Sequence, residues 1–273
     1  MKKLGFILAM LVFFSLCSIT AMAAPKFDKT NLAKGYITVT YDGDVVKKVV
    51  KIKLELVGDK EKRYNSFTII TNDPINIPLT LGDGQYKLTI MEQVNAKTYR
   101  GLAVEQFNVK VTSPNDVYLV SSPIVAYTAE TQAVIDYLKS YTDKKLTTPA
   151  AKTDLLYQNM IKGFTYDMDK AININKRYPD GYTPIIDSVY AAQKGICYDY
   201  SAITAAVLRA AGIPTKVVVG YAPEIEVLHA WNEIYLDNKW VVVDFTYDAA
   251  YAQAGHKTTM GKDAKQFKPT KMY

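Results

Sequence analysis

The hydrophobic period of the sequence changes partway along the chain. Up to about residue 120, short runs such as Val50–Leu56 alternate apolar and polar residues, which is typical of strands with one buried face. After about residue 129, apolar residues recur at helical spacing, as in Val134, Leu138 and Tyr141. The sequence therefore predicts an α+β fold built from two successive parts.

The first part, residues 24–125, has the pattern of an antiparallel β-sandwich. Its short strands are separated by turn sequences such as Asp42-Gly43-Asp44 and Gly82-Asp83-Gly84. Asp42 and Asp44 could be read as calcium ligands, but the other ligands of a calcium loop are missing, so a turn is the better interpretation. No catalytic set of residues stands out in this part, and a binding or spacer role is expected.

The first 23 residues read as a signal peptide. Lys2 and Lys3 precede an uncharged stretch, and Ala21-Met22-Ala23 supplies the small residues of a cleavage site. We expect a secreted or cell-surface protein with no membrane span after signal removal. A retained anchor is an alternative, because the uncharged stretch is long enough to span a bilayer. A lipoprotein acylated at Cys17 is disfavoured by the bulky Leu16 before it.

Charge and motif content exclude several other classes. The chain has 33 basic and 27 acidic residues, and loss of Lys2 and Lys3 leaves 31 against 27. This excess is too small and too evenly spread to predict nucleic-acid binding. Neither a CxxC nor an HExxH pattern is present, so the sequence gives no reason to expect a metal or any other cofactor.

Cys197 would be the one cysteine left in the exported protein. A lone exported thiol is an inert buried group, half of an intermolecular bridge or a nucleophile. An apolar helical stretch follows Cys197 and ends at Gly212 and Pro214, which puts the sulfur at the first turn of a helix. The unpaired amides and positive dipole there favour thiolate over thiol. Gly195 would let the chain turn tightly into this helix.

A predicted hairpin brings a histidine towards a carboxylate. If Leu236 pairs with Lys239 across a two-residue turn, His229 faces Thr246, and Asp244 is its diagonal neighbour on the same face. A thiol, an imidazole and a carboxylate that holds the ring make a nucleophile, a base and an orienting group. The sequence therefore predicts that Cys197, His229 and Asp244 form a catalytic triad.

These residues lie within five motifs. They are Gly195-x-Cys197-x-Asp199-Tyr200-Ser201, Leu208-Arg209-x-x-Gly212-Ile213-Pro214, Gly220-Tyr221, His229-Ala230-Trp231-Asn232-Glu233 and Trp240-x-x-x-Asp244-x-Thr246. Together they resemble the transglutaminase-like superfamily of bacterial exported proteins. The resemblance implies a papain-like α+β domain over residues 126–273 with the Cys-His-Asp triad named above. It also suggests an upstream aromatic residue that assists the oxyanion, for which Tyr166 is the candidate.

Three functions fit these observations. The first is a thiol enzyme that hydrolyses an amide in a protein or cell-wall peptide through a thioester. The second is a transglutaminase, in which a lysine amine replaces water and crosslinks proteins. The third is a non-catalytic cell-surface binding protein whose triad is vestigial. The triad serves both enzymes equally well, so the sequence leaves them open.

Overall fold

The computed structural model describes residues 24–95, 98–177 and 181–273. The predicted signal peptide, residues 1–23, lies outside these ranges. Among the described residues, no helix has the length and apolar character that a bilayer crossing requires.

The secondary structure confirms the α+β class. The strands are β1 (Lys26–Asp28), β2 (Tyr36–Thr40), β3 (Val50–Leu56), β4 (Tyr64–Ile69), β5 (Ile75–Pro78), β6 (Gly84–Asn95), β7 (Thr98–Val109), β8 (Thr165–Tyr166), β9 (Lys194–Gly195), β10 (Thr215–Tyr221), β11 (His229–Leu236), β12 (Lys239–Val243) and β13 (Lys268–Met272). The α-helices are α1 (Gln132–Asp143), α2 (Pro149–Gly163), α3 (Met168–Arg177), α4 (Ile186–Ala192), α5 (Cys197–Ala210) and α6 (Phe245–Gln253).

The first seven strands form the predicted antiparallel sandwich. One sheet has the order β1-β2-β5 and the other β4-β3-β6-β7, as far as the described residues go. Alternate side chains of β2, β3 and β6 are fully buried, and those of both sheets join one hydrophobic cluster. The period-two pattern thus corresponds to one buried and one solvent-facing side of each sheet.

The second part is a sheet with helices packed against it. Strands β10 to β13 pair antiparallel in the order β12-β11-β10-β13. Helix α5 packs against β10 and β11, and its residues from Asp199 to Arg209 are all buried. A helix buried on all sides needs apolar or internally satisfied residues all round, which explains the alanines at 202, 205 and 206.

Two local expectations are wrong. The polar composition of the stretch from Asp169 to Thr183 predicts a loop, but most of this stretch forms α3. Its polar residues stabilise the helix, because Asn173 and Arg177 both bond the Asp169 carboxylate from following turns. The apolar run that begins at Trp240 predicts a strand as far as Phe245, but this strand ends at Val243, because α6 begins at Phe245.

The two parts of the chain contact each other through β13. The Asn65 side chain donates a hydrogen bond of 3.0 Å to the Met272 carbonyl, and the rings of Phe67 and Tyr273 meet edge to face at 5.6 Å. The Arg209 guanidinium donates to the carbonyl oxygens of Thr215, Val120 and Tyr273. One arginine therefore joins α5, β10, β13 and the segment between the sandwich and the helices.

Candidate active site

Cys197 is the first residue of α5, as predicted from the sequence. The helix leaves its first amide groups without carbonyl partners inside the helix, and these surround the thiol with positive potential. Cys197 is only partly buried. A Cβ added at Gly195 would come within 2.6 Å of the Asp199 Cβ, so the tight entry to the helix requires glycine. The chain thus delivers a thiol at the positive end of a helix with one side open to solvent.

His229 begins β11 and lies opposite Gly220 of β10. Its side chain is buried, with 5% of the residue exposed. A Cβ at Gly220 would come within 2.2 Å of the Lys268 carbonyl oxygen of β13. Only glycine lets the three strands approach here, and the imidazole is therefore held on a rigid part of the sheet.

Asp244 reaches His229, but not from the strand position that the sequence predicted. Leu236 does pair with Lys239, yet the ladder ends where Asn232 meets Val243, so Thr246 never faces His229. Asp244 is instead the N-cap of α6, where its Oδ1 accepts a hydrogen bond from the Tyr247 amide at 3.0 Å. Its Oδ2 lies 2.7 Å from the His229 Nε2. A helix cap fixes the carboxylate more firmly than a strand end would, because both oxygens have partners.

The imidazole connects the thiol to the carboxylate. Burial by itself lowers the pKa of His229, but hydrogen bonds and charge interactions with Asp244 and Cys197 outweigh it and raise the pKa to about 10. Because Nε2 is taken by Asp244, Nδ1 is the ring nitrogen left for the sulfur. At neutral pH this arrangement holds a protonated imidazole between two acidic groups.

Tyr166 lies close to the same thiol. Strand β8 pairs in parallel with β9, which places Tyr166 opposite Gly195, two residues before Cys197. Burial and the nearby charge of Cys197 raise the pKa of Tyr166 to about 12. The phenol is therefore neutral and keeps a proton that it can donate. The structure thus brings all four residues singled out in the sequence into one neighbourhood.

Sequence reasoning missed the part that Asn232 plays. Its side-chain amide donates to the Ser201 carbonyl at 3.0 Å and to the Lys216 carbonyl at 2.9 Å, which ties α5 to the sheet behind the site. Trp231 beside it stacks on His229, with ring centroids 6.4 Å apart. The signal was an amide next to Trp231 in a strand with buried apolar residues, since a buried amide has to be hydrogen-bonded.

Across the described ranges, no group of three or more histidine, cysteine, aspartate or glutamate side chains is placed to hold an ion. The described arrangement is that of a nucleophile, a base and an orienting carboxylate.

Comparison with known proteins gives a family match and several low-identity structural neighbours. Residues 136–245 match the model of the transglutaminase-like superfamily. No curated protein matches the chain. One similar solved structure is a candidate cysteine protease from Cytophaga hutchinsonii, with 12% identity and a TM-score of 0.43, covering 92% of this chain and 77% of that chain.

Two further neighbours are transglutaminases. One, described as a TGase, has 26% identity and a TM-score of 0.33, covering 58% of this chain and 44% of that chain. The other, from red sea bream, has 13% identity and a TM-score of 0.28, covering 77% of this chain and 47% of that chain. This chain thus spans less than half of either transglutaminase. These TM-scores are low, and the assignment rests on the family match. Residues 136–245, which contain Cys197, His229 and Asp244, are thus the part of this chain that is similar to the transglutaminase-like superfamily.

Proposed function

We propose that the protein is a thiol enzyme that hydrolyses amide bonds through a thioester, with Cys197, His229 and Asp244 as its catalytic residues. The observation that carries the proposal is the placement of His229, which bonds Asp244 at 2.7 Å through Nε2 and lies near enough to Cys197 for the thiol to help raise its pKa. A nucleophile at a helix start, next to a base that a third group orients, is the arrangement that covalent acyl transfer requires.

The geometry supports a two-step reaction. The Cys197 thiolate attacks the carbonyl carbon, and the new oxyanion accepts hydrogen bonds from the Cys197 amide and the Tyr166 phenol. The His229 imidazolium gives its proton to the leaving amine, the C–N bond breaks, and a thioester remains on Cys197. Neutral His229 then takes a proton from water, and the hydroxide releases the acid and restores the thiolate and imidazolium.

Exposure of the thiol favours hydrolysis over crosslinking. Cys197 is partly open to solvent, so water can reach a thioester formed there. Crosslinking would require a lysine amine to compete with that water, and water would have to be kept out. We propose a protein or cell-wall peptide as substrate, outside the cytoplasm, in keeping with the signal peptide that the sequence predicts. Crosslinking and non-catalytic binding are the alternative outcomes of the experiment that follows.

Substitution of the nucleophile tests the proposal. The protein without residues 1–23 would be incubated with casein and with cell-wall peptides, and new amino groups would be quantified. We expect Cys197→Ser and His229→Ala each to lower the rate by about a thousandfold or more, because members of a triad act as one unit. His256→Ala is the matched control, since the His256 ring stacks on Tyr251 at 4.4 Å and takes no part in the site.

Mass spectrometry of the products separates the remaining outcomes. Hydrolysis gives free carboxylates even when a labelled primary amine is present, whereas crosslinking gives covalent incorporation of that amine. Equal rates for the unsubstituted protein and Cys197→Ser on every substrate would contradict the proposal and favour a binding protein.

A further inference from the structure

A second buried charged cluster lies beside the nucleophile and has no part in the reaction steps above. It consists of Lys170, Tyr182 and Asp199. Asp199 is completely buried, two residues after Cys197 on the same helix. A buried carboxylate so close to a thiolate would oppose the thiolate's negative charge, unless something balances it.

Both carboxylate oxygens of Asp199 accept hydrogen bonds. Its Oδ2 accepts hydrogen bonds from the Ile196 amide at 2.9 Å and from the Lys170 ammonium at 2.7 Å. Its Oδ1 accepts a hydrogen bond from the Tyr182 hydroxyl. The first of these bonds fixes the backbone just before Cys197, and the second brings in a positive charge.

Lys170 comes from α3, which the sequence did not predict as a helix. Only 13% of its side chain is exposed, and the ammonium also bonds the Tyr182 hydroxyl and lies 4.2 Å from the centre of that ring. The start of α3 is itself fixed to the site, because the Asp167 amide donates to the Gly195 carbonyl at 2.9 Å. The lysine is therefore held in place from both its backbone and its side chain.

The charged and titratable groups on the elements around Cys197 can be named one by one. Strand β11 contributes His229, which is balanced by Asp244 from the start of α6. Helix α5 contributes Asp199 and the neutral phenol of Tyr198, and β8 contributes the neutral phenol of Tyr166. Asp167, which follows Tyr166, is paired with Lys194 at 3.6 Å. With His229 and Asp244 balanced, Asp199 is left as the negative charge beside Cys197, and Lys170 is the cation in contact with it.

We propose that Lys170 is a positioning residue for the reaction: its ammonium neutralises Asp199, so that Cys197 can carry negative charge at a helix start that contains a buried carboxylate. The inference rests on the proposed function, because it assumes that Cys197 reacts as a thiolate. Asp199 anchors the Ile196 amide and thereby fixes the turn directly before Cys197. The same neutralisation lowers the repulsion that the oxyanion would meet.

The experiment measures how fast iodoacetamide labels Cys197 as a function of pH in the protein without residues 1–23. We expect Lys170→Met to move the midpoint of the labelling profile upward by about one pH unit, which slows labelling about tenfold on the acidic side. Lys170→Arg should keep the midpoint, because the charge is retained. Lys176→Met, at an exposed position of the same helix, is the matched control.

A double variant separates charge from structure. Lys170→Met with Asp199→Asn removes both charges, so it should return the midpoint towards that of the unsubstituted protein. It also avoids an unpaired buried carboxylate, so it should fold even if the single variant does not. A midpoint that is unchanged in Lys170→Met, or equally shifted in the single and double variants, would overturn the proposal.

The labelling experiment and the amide-cleavage experiment can fail independently, and each failure rejects a different proposal. If Cys197 labels as expected but no amide substrate is cleaved, the proposed function fails while the charge balance stands. If amide substrates are cleaved and Lys170→Met labels like the unsubstituted protein, only the inference about Lys170 fails.

Discussion

The sandwich and the helical part differ in what they bury. Among the described residues of the sandwich, the fully buried side chains are almost all apolar, and Glu92 is a buried charge at its rim that Lys48 and Arg100 reach from the surface. Among the described residues of the later part, five aspartate, arginine or histidine side chains are buried, which are Asp199, Arg209, His229, Asp244 and Asp248.

The difference indicates where the fold carries the energetic cost of buried charges, which is in the part that contains the proposed active site. Burying a charge is costly unless it is paired and hydrogen-bonded, and each of these five side chains has such partners. The sandwich can be stabilised by apolar burial alone, which the alternation of apolar and polar residues along its strands provides. A site that must hold an ionised thiol and imidazole needs fixed charges, and the proposed catalytic residues lie among them.

Among the substitutions that test this comparison, removal of the Asp244 carboxylate should have the largest effect on the rate of amide cleavage. Asp244→Ala should lower the rate of amide cleavage by about a hundredfold or more, because an oriented base contributes this much to proton transfer. The pKa of His229 should fall, since Asp244 is a main cause of its rise to about 10. Activity is lost as the imidazolium deprotonates, so the alkaline limb of the pH–rate profile should move to lower pH.

Asp244→Asn is the graded control for that measurement. It retains a hydrogen-bond acceptor for His229 but loses the charge, so it should retain more activity than Asp244→Ala while its alkaline limb also moves down. An unshifted alkaline limb in both variants would show that Asp244 does not support the imidazolium.

Arg209 tests the cost of a buried charge that takes no part in the reaction. Burial lowers the pKa of Arg209 to about 10, and its three hydrogen bonds join four segments of the fold. Arg209→Met should lower the free energy of unfolding by about 3–5 kcal/mol, as when a buried charge network is broken. Lys139→Met, which removes an exposed ion pair with Asp143, should cost at most about 1 kcal/mol. Urea unfolding measures both, and equal costs would contradict the comparison.

A core substitution in the sandwich should have the smallest effect on chemistry. Leu88 is fully buried in β6. Leu88→Ala should lower the free energy of unfolding by about 2–5 kcal/mol because it leaves a cavity. The rate per folded molecule should stay unchanged, since the sandwich supplies none of the reacting groups. A large loss of kcat in the folded variant would show that the two parts are coupled.

Much of this fold could be predicted because its local signals are strong. Period-two alternation identified the sandwich strands, and Gly212 and Pro214 marked the end of α5. The turn at residues 237–238 gave the hairpin register correctly. The proposed triad could be predicted because the sequence places a thiol at the start of a helix and a histidine and an aspartate near each other on a hairpin.

What the sequence did not predict depends on contacts between distant segments. Helix α3 lies in a stretch whose polar and turn-forming residues favour a loop, and its Lys170 contact with Asp199 joins residues 29 positions apart, so that contact is visible only in three dimensions. Asp244 was expected on a strand, because nothing in the run from Val241 to Phe245 indicates that a helix cap interrupts it. From the sequence alone, Arg209 is a cation that suits the C-terminal end of a helix dipole, but its hydrogen-bond partners come from 6 to 89 residues away.

Titration of the His229 ring by NMR tests the central claim most directly. The chain has two histidines, so His256→Gln leaves His229 as the only imidazole signal. We predict that this ring stays protonated through pH 8 and titrates near the pKa of about 10 that its partners give it. Cys197→Ala should lower that midpoint, because the thiol is one of the groups that raise it. Titration near 6.5, unchanged by Cys197→Ala, would contradict the account.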